Sequence, residues 1–363
     1  MPISSMHIDT RPDWRGGQNQ VLLTLRGLKA RGHAVELMAL AGGALERRAR
    51  EEGFRVHGIA ASSVRWRGSA QLRQLMHERE YEIVHAHDPH GLTLAWLARA
   101  HRRSVLIAQR RVANPLSRGP LALARYRAAR RIFAVSKFIA ESVIDSGIVA
   151  DHVEVVYEGV PLPARTSVGQ RASAREHWKA GDADILLGCV GYLLPEKGQR
   201  ALIQALPLIQ KDYPRCRMLL AGDGPSRAAL EKLARDLNVW HSVIFAGFIE
   251  HIENVYRALD MFLFPSLAEP LGTSMLAAMS YGLPVVGVAS GGVPEMVSSG
   301  KNGLLVPAGD PDAFAACVKR LLDNREEARA FGEAARASID DRFTDDRMVD
   351  ATIEKYEALL GKI

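Results

Sequence analysis

Residues 260–284 read DMFLFPSLAEPLGTSMLAAMSYGLP. Met261–Phe264 is an unbroken apolar run of strand length, stopped by Pro265 and Ser266. Glu269 follows on the loop, and Gly272 opens an apolar helical stretch that ends at Gly282. A second apolar run, Val285–Val288, comes next. Strand, loop, helix and strand make a βαβ unit, the repeating element of parallel sheets covered on both faces. Such sheets gather ligands at the carboxyl ends of their strands, where helix N-termini present unpaired N–H groups. The reading puts Glu269 at that edge.

The same alternation runs outward in both directions. Towards the N-terminus it predicts strands at Ile3–Ile8, Ala34–Ala39, Ile83–His85, Ser104–Ile107, Ile132–Val135 and Val153–Val156. Helices fall between them near 18–31, 44–52, 70–78, 92–100, 121–129 and 137–146. Residues 159–171 (GVPLPARTSVGQR) have two prolines and no apolar periodicity, which reads as a linker. The alternation restarts with strands at Ile185–Val190, Met218–Ala221, Val243–Phe245, Met261–Phe264, Val285–Val288 and Leu304–Val306, and closes with three helices near 312–322, 326–339 and 345–360. The expectation is an α/β protein of two Rossmann-like, doubly wound domains: residues 1–160, a linker at 161–171, and residues 172–344. A C-terminal helix in 345–363 is expected to pack back toward the first domain.

Length and composition agree, since 363 residues exceed one ordinary core and 47% hydrophobic with 24% charged residues fit a globular protein. No apolar run reaches the ~18 residues a membrane span needs, and the first residues lack a signal-peptide pattern, so a cytoplasmic location is expected. Cys189, Cys216 and Cys317 form no CxxC pair and read as reduced, buried thiols. Charge is unevenly divided. Residues 1–168 carry 25 Lys and Arg against 15 Asp and Glu, net +10, whereas the remainder carries 22 against 26, net −4. A basic first half fits either an anionic partner such as a membrane surface, or solvated helix faces rich in arginine. No nucleic-acid-binding module accompanies the charge, so nucleic acid is not an expected partner.

Further motifs sit at other strand ends. GCVGYLLPEKG (188–198) is a strand, a glycine turn and Lys197 at a helix start, where lysine and N–H donors can face phosphate together. AGDGPSRAALEKLA (221–234) is a second strand-to-helix glycine turn at Gly222, without the GxGxxG spacing of a dinucleotide site. FAGF (245–248) ends another strand at Phe248, and GGVPE (291–295) pairs glycines before a helix. In the first half, DTRPDWRGGQNQ (9–20) opens a helix with Gly16 and Gly17. His85 and His87 share one face at a strand end, half of a metal-ligand set if His90 or Asp88 completed it. QRRV (109–112) brings Arg110 and Arg111 to a strand end, where guanidinium forks suit phosphate or carboxylate. The segment 118–131 (RGPLALARYRAARR) mixes apolar and cationic positions and reads as an interfacial or a plain solvated helix.

In this order, from Gly16–Gly17 to Gly303–Pro307, the motifs resemble those of retaining GT-B glycosyltransferases of family 4. The resemblance implies two domains facing a cleft and transfer of a sugar from a nucleoside-diphosphate sugar with retained anomeric configuration. It implies no cofactor or metal, the nucleotide sugar being a co-substrate. The expected acceptor is a hydroxyl of a bacterial glycan or glycolipid such as lipopolysaccharide core or capsule. Peripheral contact with the inner face of the cytoplasmic membrane would follow. By the same resemblance Glu269 contacts the donor sugar, and His87 hydrogen-bonds it from the first domain. Lys197 holds the diphosphate. Gly16, Gly17, Gly222, Phe248, Gly272, Thr273 and Ser274 complete the donor contacts, and Arg110 and Arg111 face the acceptor. Two departures stand out. Tyr192 occupies the place of a diphosphate-binding arginine. Ala277 occupies that of a second glutamate, eight positions after the first, that holds the ribose. They keep open a second reading, a degenerate GT-B protein that binds glycan or a partner without turnover.

Overall fold

The computed structural model describes residues 2–61, 64–117 and 119–362. Met1, Ser62, Ser63, Arg118 and Ile363 lie outside the described residues, so the first position of the basic segment 118–131 is not among them. Packing divides the chain into two compact units, Met1–Gly159 with Asp345–Ile363, and Val160–Thr344.

The first unit alternates β1 (Ser4–Asp9), α1 (Gly16–Ala30), β2 (Ala34–Leu40), α2 (Ala44–Glu51), β3 (Arg55–Ile59), α3 (Trp66–Glu78), β4 (Ile83–Ala86), α4 (Pro89–Leu97), β5 (Val105–Arg110), α5 (Pro120–Ala128), β6 (Arg131–Ala134), α6 (Lys137–Asp145) and β7 (Val153–Val155). All seven strands are parallel, in the order β3-β2-β1-β4-β5-β6-β7. The chain builds one way from β1 to β3 and the other way from β4 to β7. The reversal between β1 and β4 leaves a crevice at their carboxyl ends, the usual ligand position in such sheets. β3 (RVHGI) carries no strand pattern in the sequence, because its alternation is broken by His57 and Gly58 and it lies at the sheet edge.

The second unit contains α7 (Val168–His177), β8 (Ile185–Val190), α8 (Gln199–Gln210), β9 (Cys216–Ala221), α9 (Arg227–Asp236), β10 (Val243–Gly247), α10 (Glu253–Ala258), β11 (Met261–Phe264), α11 (Thr273–Ser280), β12 (Val285–Val288), α12 (Val293–Met296), β13 (Leu304–Val306), α13 (Pro311–Asp323) and α14 (Arg325–Arg342). Its six strands are parallel, in the order β10-β9-β8-β11-β12-β13. Leu187, Cys189, Met218, Leu220, Leu263 and Val286 pack beneath Leu202, Leu206, Phe314 and Val318 of α8 and α13. Full burial stabilises each such large side chain by about 1.5–3 kcal/mol.

The segment 161–171 is not wholly a linker. Helix α7 begins inside it, with Ser167 and Gln170 forming a reciprocal cap. Polar contacts hold this helix in place of an apolar stripe, which is why periodicity did not reveal it. Asp260 accepts from Arg171 (2.6 Å), from Arg175 (3.1 Å) and from the Leu186 amide (2.7 Å).

The last helix, α15 (Asp345–Leu360), belongs to the first unit. Its Tyr356 is fully buried with Ile3, Leu28, Ile83, Ile107 and Phe133. Met348 and Val349 pack on Leu23 of α1, and Arg31 pairs with Asp346 and Asp350 at 2.9 and 2.7 Å. Helices α1 and α15 meet so closely at Gly27 that a Cβ there would collide with both methyls of Val349. Alanine gains about 1 kcal/mol of helix propensity over glycine, but overpacking of a tight contact costs about 1–3 kcal/mol. Gly27→Ala should therefore lower the melting temperature in the natural sequence and lower it less in a Val349→Ala background, where only the Cβ at 3.0 Å still opposes it. Equal destabilisation in both backgrounds, by calorimetry, would contradict this packing.

Candidate active site

In the second unit the ends of β8 and β11 carry a charged pair. The Lys197 ammonium lies 2.6 Å from the Glu269 carboxylate, and the Ser266 hydroxyl donates to the same oxygen at 2.8 Å. Glu269 is mostly buried, with 13% of its side chain exposed, while Lys197 retains 29%. Two glycines hold the pair. Gly198 has φ +71°, and a Cβ there would strike the carbonyl of Pro265. Gly291 has φ +56°, and its Cβ would strike the Glu269 carbonyl. The left-handed backbone and the close approach both require glycine here. The Gly292 amide donates to the Glu269 carbonyl (2.9 Å), the Ser290 hydroxyl to the Ser266 carbonyl (2.8 Å) and the Leu267 amide to the Glu196 carbonyl (2.9 Å). The loops after β8, β11 and β12 are thus knitted into one rigid edge.

Helices α8 and α11 begin at this edge from Gly198 and Gly272, and neither has a side-chain cap. Their first N–H groups, with those of Thr273 and Ser274, are donors suited to an anion. Ala277 lies one turn after Thr273 on the same partly accessible face. Gly222 packs against the Gly191 backbone, joining the loops after β9 and β8. Tyr192 (41% exposed) and Phe248 (62%) project from the ends of β8 and β10.

At the β1/β4 reversal of the first unit lies a buried polar network. Asp88 caps α4 through the His90 and Gly91 amides and accepts from both Thr10 groups, at 2.7 and 2.9 Å. Asp9 accepts from the Arg11 amide and the Gln18 side chain. Burial, reinforced by the neighbouring Asp88, pushes the Asp9 carboxyl up to about 6. Below these lie three fully desolvated imidazoles, His7 of β1, His85 of β4 and His87. Burial lowers all three; His7 falls to about 3, with the Arg111 cation adding to the effect. His7 was missed in the sequence because a lone histidine in an apolar strand carries no pattern. Only the register His7↔His85 reveals it.

Three placements differ from expectation. Arg110 is buried rather than at an open mouth, and its guanidinium donates to the Asn114 carbonyl. Arg111 is also largely covered, pairing with Glu158 at 2.7 Å and donating to His87 Nδ1 at 3.1 Å, with its aliphatic stem beneath Gly17. His87 has both nitrogens engaged, Nδ1 with Arg111 and Nε2 with His7 at 2.9 Å, so contact with a sugar hydroxyl requires exchange of one of these bonds. The metal-ligand grouping of His85 and His87 with His90 or Asp88 is not formed. His90 is exposed, and Asp88 serves α4 and Thr10. Helix α1 opens at Gly16 and Gly17 without a side-chain cap.

Both parallel sheets carry glycine-rich loops at their strand ends, and sequence comparison gives the family. Residues 14–163 match the model of Glycosyltransferase Family 4, and residues 170–338 that of Glycosyl transferases group 1. The chain belongs to the family-4-type GT-B glycosyltransferases. It is 36% identical over 175 residues to the GDP-mannose-dependent alpha-(1-6)-phosphatidylinositol monomannoside mannosyltransferase of Mycolicibacterium smegmatis, 46% of each chain. It is 31% identical over 173 residues to the lipopolysaccharide core biosynthesis glycosyltransferase LpsE of Rhizobium meliloti, 48% of this chain and 49% of that one. The chain thus spans about half the length of these curated relatives. The crystal structure of Anabaena Alr3699/HepE in complex with UDP and glucose shares the fold, with TM-score 0.85 over 97% of this chain and 99% of that one, at 22% identity.

The depressed histidines set a pH dependence. The unfolded chain protonates its histidines below about pH 6.5, whereas the folded chain keeps these three neutral, so their contribution to stability is present above 6.5 and lost as pH falls. Asp9 acts oppositely, since between about pH 6 and 4 the folded chain holds a proton that the unfolded chain releases. With three histidines set against one carboxyl, unfolding takes up protons as pH falls below 6.5, so stability falls with it. Urea unfolding between pH 7 and 5 should show this loss, and a flat profile would contradict neutral burial of the histidines.

Proposed function

We propose that the chain transfers a sugar from a nucleoside-diphosphate sugar to a hydroxyl of a bacterial glycan or glycolipid, with retention and without a metal ion. The Lys197–Glu269 pair, held rigidly at three strand ends, is the observation that carries this reading. An arriving diphosphate takes the Lys197 ammonium together with the amides opening α8 and α11, which stabilise the leaving phosphate as its charge develops. Glu269, released from Lys197 but still bonded to Ser266, then accepts hydroxyls of the donor sugar. The bond from the sugar's anomeric carbon to the phosphate oxygen breaks, and the acceptor oxygen bonds to that carbon from the same face. The acceptor's proton passes to the departing phosphate, so no covalent enzyme intermediate is required.

Membrane contact through the basic first unit belongs to the same proposal. Trp66, with Arg65 and Arg67 beside it, and Leu121 each stand 74% exposed, a mixture suited to an anionic lipid surface. No helix of the described residues is long and apolar enough to cross a membrane.

Ala277 and Tyr192 favour a second reading, binding without turnover. The loss of a charge-assisted hydrogen bond is worth about 1.5–3 kcal/mol, or one to two decades of affinity, which weakens a donor site without removing the reacting groups. The test is turnover of a panel of nucleotide sugars, with acceptor lipids presented in neutral and anionic vesicles. Transfer is expected to survive EDTA, to be faster on anionic vesicles and to fall at least 100-fold in Glu269→Gln. Lys197→Ala should chiefly weaken donor binding. Donor binding without transfer or hydrolysis would support the second reading, and no binding of any nucleotide sugar would refute the transferase reading.

A further inference from the structure

The three buried histidines form directed hydrogen-bond chains whose proton positions follow from their ends. Arginine can only donate, so His87 Nδ1 accepts from Arg111 Nη1 at 3.1 Å. The neutral His87 ring then carries its proton on Nε2, which donates to His7 Nδ1 at 2.9 Å. His7 in turn carries its proton on Nε2 and donates to the Ser5 hydroxyl at 3.2 Å, which reaches the Ala34 carbonyl at 3.5 Å. At the other end the Arg111 Nε donates to Glu158 at 2.7 Å. A second chain runs beside it. The Tyr356 hydroxyl donates to His85 Nδ1 at 2.7 Å, and His85 Nε2 donates to the Gln109 carbonyl oxygen at 3.0 Å.

Every ring nitrogen of the three histidines is therefore used once, in a consistent direction. The ring planes lie 15–39° apart, with His85 and His87 stacked at 4.2 Å between centroids. One nitrogen of each ring lies within 4.8 Å of the others, a spacing that an ion could use, but all six ring nitrogens are engaged in the two chains. The arrangement is a relay of neutral groups.

We propose that His7 is a positioning residue for Arg111, acting through His87; this rests on the reading of Arg111 as an acceptor-side group. By accepting the His87 Nε2 proton, His7 selects the one His87 tautomer whose Nδ1 can receive Arg111. The guanidinium is thereby held from two sides, by His87 and by Glu158, with its stem under Gly17 at the opening of α1. Among the described residues its Nη2 has no hydrogen bond, and that nitrogen is the one presented to an anionic group of the acceptor. The charged and titratable groups around the relay are Arg111 and Glu158 from the loops after β5 and β7, His85 from β4 and Tyr356 from α15.

The test uses the full chain labelled with ¹⁵N-histidine. In the natural sequence, ¹⁵N–¹H correlation spectra should show His7, His85 and His87 as neutral Nε2–H tautomers from pH 8 to pH 5, unmoved by added Zn²⁺. A His87 proton on Nδ1, titration of these rings near pH 6.5, or a Zn²⁺-induced shift would overturn the proposal. His7→Leu should leave His87 a mixture of tautomers and lower kcat/KM for the acceptor ~10- to 100-fold, the scale of a small misplacement of a positioning group, while UDP-glucose affinity by calorimetry stays within about twofold. His7→Asn, which places an acceptor oxygen near the position of Nδ1, should restore most of the loss. Unchanged acceptor kinetics in folded His7→Leu would overturn the proposal. If that variant does not fold, the tautomers of the natural chain and of Ser5→Ala decide it. A chain that binds and transfers no nucleotide sugar would refute the transferase reading separately, while the spectra still judge the relay.

Discussion

A parallel sheet delivers every strand-to-helix loop to the same edge, and this constraint organises both units. Short strands with nearly continuous apolar sequence are buried on both faces, so chemistry is confined to the loops at their carboxyl ends. In the second unit that edge holds Lys197, Ser266, Glu269, Gly272 and Gly291. In the first it holds Asp9, Gly16, Gly17, His87, Asp88 and Arg111.

The two edges solve the problem of buried charge differently. Lys197 and Glu269 neutralise one another at 2.6 Å, partly desolvated, and Ser266 supplies a further hydrogen bond. In the proposed reaction a doubly charged diphosphate competes for the lysine, which a single carboxylate holds, and the pair opens as substrate brings its own charge. In the first unit the Arg111–Glu158 pair is more deeply covered, and neutral imidazoles extend its hydrogen bonds into the core. Engaging every imidazole nitrogen in such a network fixes one arrangement, because a misdirected proton would leave a buried polar atom unpaired.

Much of this was legible in the sequence for a physical reason. Period-free apolar runs bounded by glycine and proline identify buried parallel strands, and β8, β11, β12 and β13 fall where those runs fall. Glu269 and Lys197 could be placed at strand ends, but their mutual bond could not, since 72 residues separate them. Helix α7 escaped notice because arginines bound to Asp260 hold it, and β3 because an edge strand needs less apolar character. QRRV suggested two outward arginines, yet Arg110 ends strand β5 and turns to the Asn114 carbonyl. His7 and Tyr356 join His85 only through sheet register and the docking of α15, neither of which leaves a local signal.

We propose that the Lys197–Glu269 pair is a donor site closed on itself. The most direct measurement is a crystal structure of the chain with a bound nucleotide sugar such as UDP-glucose. Diphosphate oxygens are expected on Lys197 and the amides of α8 and α11, with Glu269 turned to the sugar. A nucleotide bound elsewhere, with Lys197 and Glu269 still paired, would contradict it.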